Sequence, residues 1–414
     1  MRPSVIVLTL FFVQALFAQE LGSSLEELLA YARERNPRLE AIKGETNAAF
    51  NRVGFAGALD DPRFRVEFRD MTKMGDQSPT LSPSRVGSVR YLFMQDIPWY
   101  GKRDLKREIA SSLARSIEQG ARGEQIEIEA DIKTTYAELF YVEENIRLTR
   151  EIEAILTQTE TIAQKRYALG ISPQKESIDA AIERSELQND LIALETKRVQ
   201  LKAKMNALLG RDLFAPLLSP ESIAPLPNAA KIDYAALRNR VQNAPRLLAK
   251  ESQIETAQKN KELAYKNRYP DFTIGVSPIQ YGDSIKEWEL MIEFNIPLGR
   301  TSLRSEQMES DAMLIAAKSQ KEAETNEVML ELYENAAACG SALRSIALID
   351  ETLTPQTKLA FASALAGYET GKTDFAQLLE AQKRLRQARQ SAIAAQLQAR
   401  IALAQIERVL GKGI

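Results

Sequence analysis

Two hydrophobic periods alternate along this chain, and the alternation occurs twice. From Ser23 to Arg52, Leu25, Leu28, Leu29 and Ala32 share one face at helical spacing, with Ser23 or Ser24 placed as the N-cap. The period then falls to two. Phe64, Val66 and Phe68 alternate with Arg63, Arg65, Glu67 and Arg69, which predicts a strand with one apolar and one charged face. A polar loop over 71–85 leads to a second strand, with Val89, Tyr91 and Phe93 on one side and Ser88 and Arg90 on the other. Proline is then absent from Lys102 to Ile171, where Ile128, Ile132, Leu139, Val142 and Ile146 predict one helix. About 65 residues at ~1.5 Å each is a rod of roughly 100 Å, longer than any helix a compact domain needs.

The second half repeats the order. Phe272, Ile274 and Val276 alternate with Thr273, Gly275 and Ser277, and Tyr281-Gly282-Asp283-Ser284 marks a turn. Trp288, Leu290, Ile292, Phe294 and Ile296 then alternate with Glu287, Glu289, Met291, Glu293 and Asn295, an apolar row backed by a nearly continuous acidic one. A helix over Thr301 to Ala366 follows, which Pro355 is expected to kink or break. From Leu378 to Val409, Leu378, Ala381, Leu385, Ala388, Ala392, Ala395, Ala399, Ala402, Ile406 and Val409 keep a 3-4 spacing. Its alanines suit close helix packing, whereas an isolated two-stranded coiled coil would favour bulkier residues. Gly170-Ile171-Ser172-Pro173 and Gly371-Lys372-Thr373-Asp374 each read as a glycine stop followed by a Ser, Thr or Asp cap, so each half ends in a helical hairpin.

Short motifs tie the halves together. Asn36-Pro37-Arg38-Leu39 recurs as Ala244-Pro245-Arg246-Leu247, and Pro62-Arg63-Phe64 as Pro270-Asp271-Phe272, both at an offset of 208. Ile97-Pro98 with Gly101-Lys102-Arg103 recurs as Ile296-Pro297 with Gly299-Arg300. Tyr167-Ala168-Leu169-Gly170 recurs as Tyr368-Glu369-Thr370-Gly371, and Leu209-Gly210 as Leu410-Gly411, both at an offset of 201. The expected organisation is a secretory signal over 1–18, a first repeat over 19–211, a linker over 212–231 and a second repeat over 232–414. Arg2, the apolar run Val5 to Leu16, and Ala15-Leu16-Phe17-Ala18 before Gln19 carry the signal reading.

Composition narrows the chemistry. Lysine plus arginine (54) nearly balance aspartate plus glutamate (56), which leaves no basic footprint for nucleic acid. Histidine is absent, so the commonest general base and transition-metal ligand is missing. The single cysteine, Cys339, reads as a small buried filler and excludes intrachain disulfides. Neither a nucleophile elbow, a phosphate loop nor metal-ligand spacing occurs, and Asp60-Asp61 reads as a turn before a strand. No catalytic, cofactor or metal site is expected, and the chain is not expected to be an enzyme. After the signal, the sequence has no run of eighteen or more apolar residues, so any membrane entry is by strands. Half-buried strands of a soluble sheet would also alternate. The export signal and the aromatic strand ends favour outer-membrane strands of about 9–11 residues. Four strands cannot close a barrel, and an open edge in lipid costs several kcal/mol per unpaired group, so closure requires several chains.

The duplicated order of strand pairs, the prolines Pro62, Pro98, Pro270 and Pro297, the Tyr-x-x-Gly tips and the Leu-Gly endings resembles the TolC-like outer-membrane factors. The resemblance covers essentially the whole chain after the signal. It implies a mainly α fold with a transmembrane β part: a homotrimer with a twelve-stranded barrel, four strands per chain, and long helical hairpins forming a periplasmic tunnel. Asp61-Pro62-Arg63-Phe64 and Gln95-Asp96-Ile97-Pro98-Trp99-Tyr100-Gly101-Lys102-Arg103 resemble the heavy-metal cation branch, of the cobalt–zinc–cadmium and copper–silver type. The resemblance implies an outer-membrane channel of a tripartite efflux system for metal cations or drugs, with a periplasmic adaptor, an inner-membrane pump and outer-membrane lipid as partners. A type I secretion exit duct and a soluble periplasmic coiled-coil adaptor are the alternatives. Alignment on Tyr368 and Gly371 places the family's periplasmic gate at Asp374, Gln377 and Glu380, with an amide at one acidic position. Adaptor docking falls on Gly170, Ser172, Gly371, Lys372 and Thr373. The charges expected to face the lumen are Arg65, Glu67, Arg90, Glu287, Glu289 and Glu293.

Overall fold

The computed structural model describes residues 21–227 and 233–411, so the expected signal and part of the expected linker lie outside the described residues. The first helix, α1 (Leu25–Arg35), starts where Ser24 Oγ accepts the Glu27 amide at 3.3 Å, making Ser24 the cap. The expected single helix from Ser23 to Arg52 is interrupted. Asn36 takes an extended conformation because the residue before a proline is pushed out of the α region, and Pro37 then opens α2 (Pro37–Ala56).

Helix α3 (Lys102–Ala168) runs 67 residues without a break and is followed by α4 (Gln174–Leu208). Short α5 (Tyr234–Arg238) and α6 (Pro245–Lys266) precede the second strand pair. After it come α7 (Arg300–Leu348), α8 (Thr354–Glu369) and α9 (Phe375–Leu410). Pro355 does not break the α7–α8 helix. A π turn at Ile349–Leu353 absorbs it, with the Thr354 amide reaching back five residues to the Ile349 carbonyl. Proline offers no amide to the carbonyl four residues earlier, and widening the turn moves that mismatch into one local step.

The described residues divide into two compact units. One comprises residues 21–37, 128–227 and 336–404. In its core Leu148, Ile152 and Leu156 of α3 pack on Leu187 of α4. Each fully buried leucine or isoleucine contributes roughly 1.5–3 kcal/mol. The α9 seam faces inward, with Leu378, Leu385, Ala388, Ala399 and Ala402 buried, and Cys339 is fully buried with its thiol 3.8 Å from the Ala399 carbonyl. Near the start of this unit, Asn36 Nδ2 donates to the Leu208 carbonyl at 2.6 Å. Gly210 follows at φ +69°, where an added Cβ would sit 2.5 Å from the Pro37 ring.

The other unit comprises residues 38–127, 233–335 and 405–411 and holds the sheet: β1 (Arg63–Arg69), β2 (Ser88–Ile97), β3 (Asp271–Tyr281) and β4 (Ser284–Asn295). The order is β1-β2-β3-β4, antiparallel throughout. At seven residues, β1 is shorter than the 9–11 expected. Gly411 at φ +74° packs on Pro245 as Gly210 packs on Pro37 in the first unit. Arg246, beside that proline, is held by Glu324 at 2.7 Å and Glu331 at 3.0 Å.

Candidate functional site

The sheet has two chemically different faces. Register places Phe64 opposite Phe93, Val66 opposite Tyr91, and Phe93 opposite Val276. It continues with Phe272 opposite Phe294, Ile274 opposite Ile292 and Val276 opposite Leu290. Period-two geometry puts all of these on one face. That face is open: Phe64, Phe93, Leu290, Ile292 and Phe294 are each more than half exposed, and Trp288 is 71% exposed. Aromatic pairs cross the strands there, Phe64 with Phe93 at 4.5 Å and Phe272 with Phe294 at 6.3 Å between ring centres.

The opposite face gathers the charges. Arg65, Glu67, Arg90, Glu287, Glu289 and Glu293 all fall on it. Arg90 is its hub, 2.8 Å from Glu289, 3.8 Å from Glu67 and 3.0 Å from the Ser277 hydroxyl, to which it donates. A separate group joins Arg63 to Asp96 at 2.7 Å, and Asp96 accepts the Thr273 hydroxyl. This face is not wholly polar. Leu92 and Met94 are buried on it beside Gly275, where an added Cβ would lie 3.0–3.3 Å from Met291, Leu92 and Met94. Alternation along β2 contains these two residues, but their burial depends on Gly275 in a strand far away in sequence.

Where strand passes to helix, motif residues of the two halves meet. Lys102 is buried and its ammonium lies 2.8 Å from Asp271 and 3.0 Å from the Tyr269 carbonyl. Asp271 also accepts the Trp99 amide at 2.7 Å, and the Trp99 ring stacks on Tyr269.

The hairpin tips belong to the first unit and are built alike. Gly170 at φ +71° and Gly371 at φ +76° reverse the chain. In each, the following amide returns to the carbonyl five residues back, Ile171 to Arg166 and Lys372 to Gly367, both at 2.8 Å, which is the Schellman closure. The caps then differ. Asp374 Oδ1 accepts the Gln377 amide at 2.7 Å, as the sequence predicts. Ser172 is not a cap: Pro173 holds that position and makes no side-chain bond. With no side-chain cap there, the Glu176 amide closes back on the Pro173 carbonyl at 3.2 Å.

The two tip tyrosines also differ. Tyr167 is 48% exposed, whereas Tyr368 is 1% exposed. The Tyr368 hydroxyl donates to Glu176 of α4 at 2.8 Å, and its ring lies under the Arg166 guanidinium at 4.9 Å and against Phe375. Arg166 also donates to the Tyr368 carbonyl at 3.1 Å. Burial, then the Glu176 carboxylate, pushes the tyrosine pKa well above its ordinary range. A second tie lies along the same helices. Glu183, buried on α4, meets Lys383 of α9 at 2.7 Å and Arg386 at 3.9 Å. The sequence offered no signal for either tie beyond the Tyr-x-x-Gly motif itself. Of the expected gate residues, Asp374, Gln377 and Glu380 are all exposed, and Glu380 is paired with Arg384 at 2.8 Å. Among the expected docking residues, Gly170, Gly371 and Lys372 are exposed, while Ser172 and Thr373 are half-buried. Beside the first tip, half-exposed Ile178 and Ile182 line an open groove with Ser177, Ser185 and Arg386.

No helix among the described residues is long and apolar enough to cross a membrane. Among the same residues no group of three or more His, Cys, Asp or Glu side chains is arranged to hold a metal ion.

A helical protein with one four-stranded sheet, apolar on one side and charged on the other, matches the fold of outer-membrane channel proteins. The chain belongs to the outer membrane efflux protein family, whose model matches residues 28–211 and 236–412. Its place is accordingly the cell outer membrane. It is 23% identical over 394 residues to the cobalt-zinc-cadmium resistance protein CzcC of Cupriavidus metallidurans, covering 94% of this chain and 90% of that one. Two of the solved structures that share the fold illustrate the likeness. The outer-membrane channel OprN has a TM-score of 0.81 at 17% identity, covering 94% of this chain and 90% of OprN. The outer membrane protein VceC of Vibrio cholerae has a TM-score of 0.80 at 17% identity, covering 94% and 96%.

Proposed function

We propose that this chain is the outer-membrane conduit of a tripartite efflux system, working as a homotrimer with a twelve-stranded barrel and a helical periplasmic tunnel. A periplasmic adaptor and an inner-membrane pump complete the system, and the pump supplies the energy. One observation carries the reading. The sheet has a free edge at β1 and another at β4, an exposed apolar face and a charged face. Such a sheet is unstable alone in lipid, because each unpaired backbone group there costs several kcal/mol, and joining copies edge to edge removes the cost. A soluble coiled-coil adaptor has no use for that exposed face.

The two-repeat organisation is part of the same reading. It is supported by the matching Pro37–Gly210 and Pro245–Gly411 contacts, the matching tip turns, and a family match in two segments divided at the same place. The gate belongs to the second repeat. Its tyrosine is the locked one, and Asp374, Gln377 and Glu380 stand exposed just beyond it. The turns at Gly170–Ser172 and Gly371–Thr373, with the Ile178–Ile182 groove, form the surface for an adaptor hairpin. In this reading the cargo is a metal cation, supported by the likeness to CzcC together with the motif from Gln95 to Arg103.

Purified full-length protein in a planar lipid bilayer is expected to give discrete conductance steps. Glu380→Ala is expected to alter block by multivalent cations, since it removes a carboxylate and frees Arg384. Deleting the gene is expected to sensitise the host to divalent metal salts. A water-soluble preparation without conductance would overturn the channel reading.

A further inference from the structure

The two free edges of the sheet carry opposite charge on the same face. Along β1 that face holds Arg63, Arg65 and Arg69 with one acid, Glu67. Along β4 it holds Glu287, Glu289 and Glu293, with Met291 and Asn295, while the strand's one base, Lys286, falls at the bulge outside the regular register. Within one chain the charges are only partly matched. Arg65 and Arg69 share Glu67 at 3.6 and 3.4 Å, and each remains more than half exposed. Among the described residues, no basic side chain lies within ion-pairing distance of Glu293, and it is exposed. Strand directions alternate across the sheet, so β4 of one copy meets β1 of the next antiparallel.

We propose that β4 of one copy joins β1 of a second copy in one register: Glu293 opposite Arg65, Met291 opposite Glu67 and Glu289 opposite Arg69. The seam is an ionic ladder on the lumen face, and it rests on the trimeric-barrel reading above. Two arguments together select this register. The first is charge. Only slips by an even number of residues keep lumen side chains inside. Slipping by two in one direction sets Glu289 against Glu67, and in the other sets Glu293 against Glu67. Like charges directly opposite are destabilising, whereas opposite charges there are favourable.

The second argument is barrel geometry. The observed pairs Arg63–Met94, Met94–Gly275 and Gly275–Met291 form one row across the chain. The proposed seam carries that row to Glu67 of the next copy, four residues further along β1 than Arg63. A stagger of four residues at ~3.3 Å over four strand spacings of ~4.8 Å is a strand tilt of about 35°, at the near edge of the usual barrel range of roughly 35–45°. A stagger of two gives about 19°, too upright. A stagger of six gives about 46°, at the far edge of the range, and charge rejects it.

The test is cysteine pairing in the full-length protein, whose one native cysteine, Cys339, is fully buried. Residues directly opposite lie within disulfide reach, and residues two further along do not. Glu293→Cys is combined in turn with Arg63→Cys, Arg65→Cys and Glu67→Cys, and the covalent species are read on non-reducing gels. The 65/293 pair is expected to give a disulfide-linked trimer at least several-fold more abundantly than the other two. Stronger linkage at 63/293 or 67/293, or none from any pair in a protein that is trimeric by mass, overturns the register. A native protein that is monomeric by mass in detergent overturns the trimer itself, and the seam with it. A charge-reversal arm reads the ladder independently of any disulfide. Glu293→Arg alone is expected to lower the temperature at which the trimer dissociates in detergent, and adding Arg65→Glu to restore it. Failure of the double variant to recover any of that loss overturns the ionic ladder.

Discussion

Tyr368 shows how much one side chain can hold in place. It is buried, it donates to Glu176, and its carbonyl and ring are both engaged by Arg166. A hydrogen bond to a charged acceptor in such a setting is worth about 1.5–3 kcal/mol. Tyr368→Phe keeps the ring and removes the bond, so it is expected to loosen the tip and raise single-channel conductance or open time at neutral pH. The pH dependence has a definite sign. The pKa of Tyr368 is raised above the ordinary 10.0 by burial first and by Glu176 second. The bond's stabilisation is therefore complete below pH 10 and declines as pH rises from there toward the folded-state pKa. Bilayer recordings of the native chain should show opening rise above pH 10. In Tyr368→Phe that alkaline rise should be absent, and an identical rise in both proteins would show that another group controls it.

At the scale of the element, periodicity exposed the long helices, the four strands and both tip turns, because those features are local. Helix spacing, glycine stops and two-residue alternation require only neighbours along the chain. What escaped is what depends on partners distant in sequence. The burial of Leu92 and Met94 relies on Gly275, the lock on Tyr368 relies on Glu176, and Lys102 finds Asp271 across 169 residues. Likewise Glu380 could be placed beside the tip, but its pairing with Arg384 lessens the free charge the sequence suggested. Pro355 was visible, yet its consequence was not, because a helix can answer a missing amide by breaking, kinking or widening. Here it widens at Ile349–Leu353. If the proline is the cause, Pro355→Ala restores an amide for the Glu351 carbonyl and the turn relaxes to α. Interior proline costs a helix about 3 kcal/mol, of which the π turn has already relieved a part. A gain of about 1 kcal/mol is expected, seen as a melting temperature raised by a few degrees. An unchanged or lower value would mean that packing of buried Ile349, and not the proline, holds the turn open.

For the whole molecule, the proposed barrel sets adjacent residues on β4 in different media, and this has a measurable consequence. Ile292 lies in the exposed apolar row with Leu290 and Phe294, while Met291 lies on the charged face against Gly275. In the proposed barrel the first row meets hydrocarbon and the second meets water. An arginine on the lipid face near the bilayer midplane costs roughly 2–4 kcal/mol, whereas lumen positions remain solvated. Three copies would repeat the penalty three times around one barrel, so Ile292→Arg is expected to abolish recovery of assembled protein from the outer-membrane fraction. Met291→Arg adds the same charge one residue away and is expected to assemble. In the proposed register it gains Glu67 of the next copy as a partner, so its trimer should resist heating at least as well as the native one. Equal loss in both variants would mean that β4 has no lipid-facing side, and the sheet's exposed aromatic face would then have to be covered by protein.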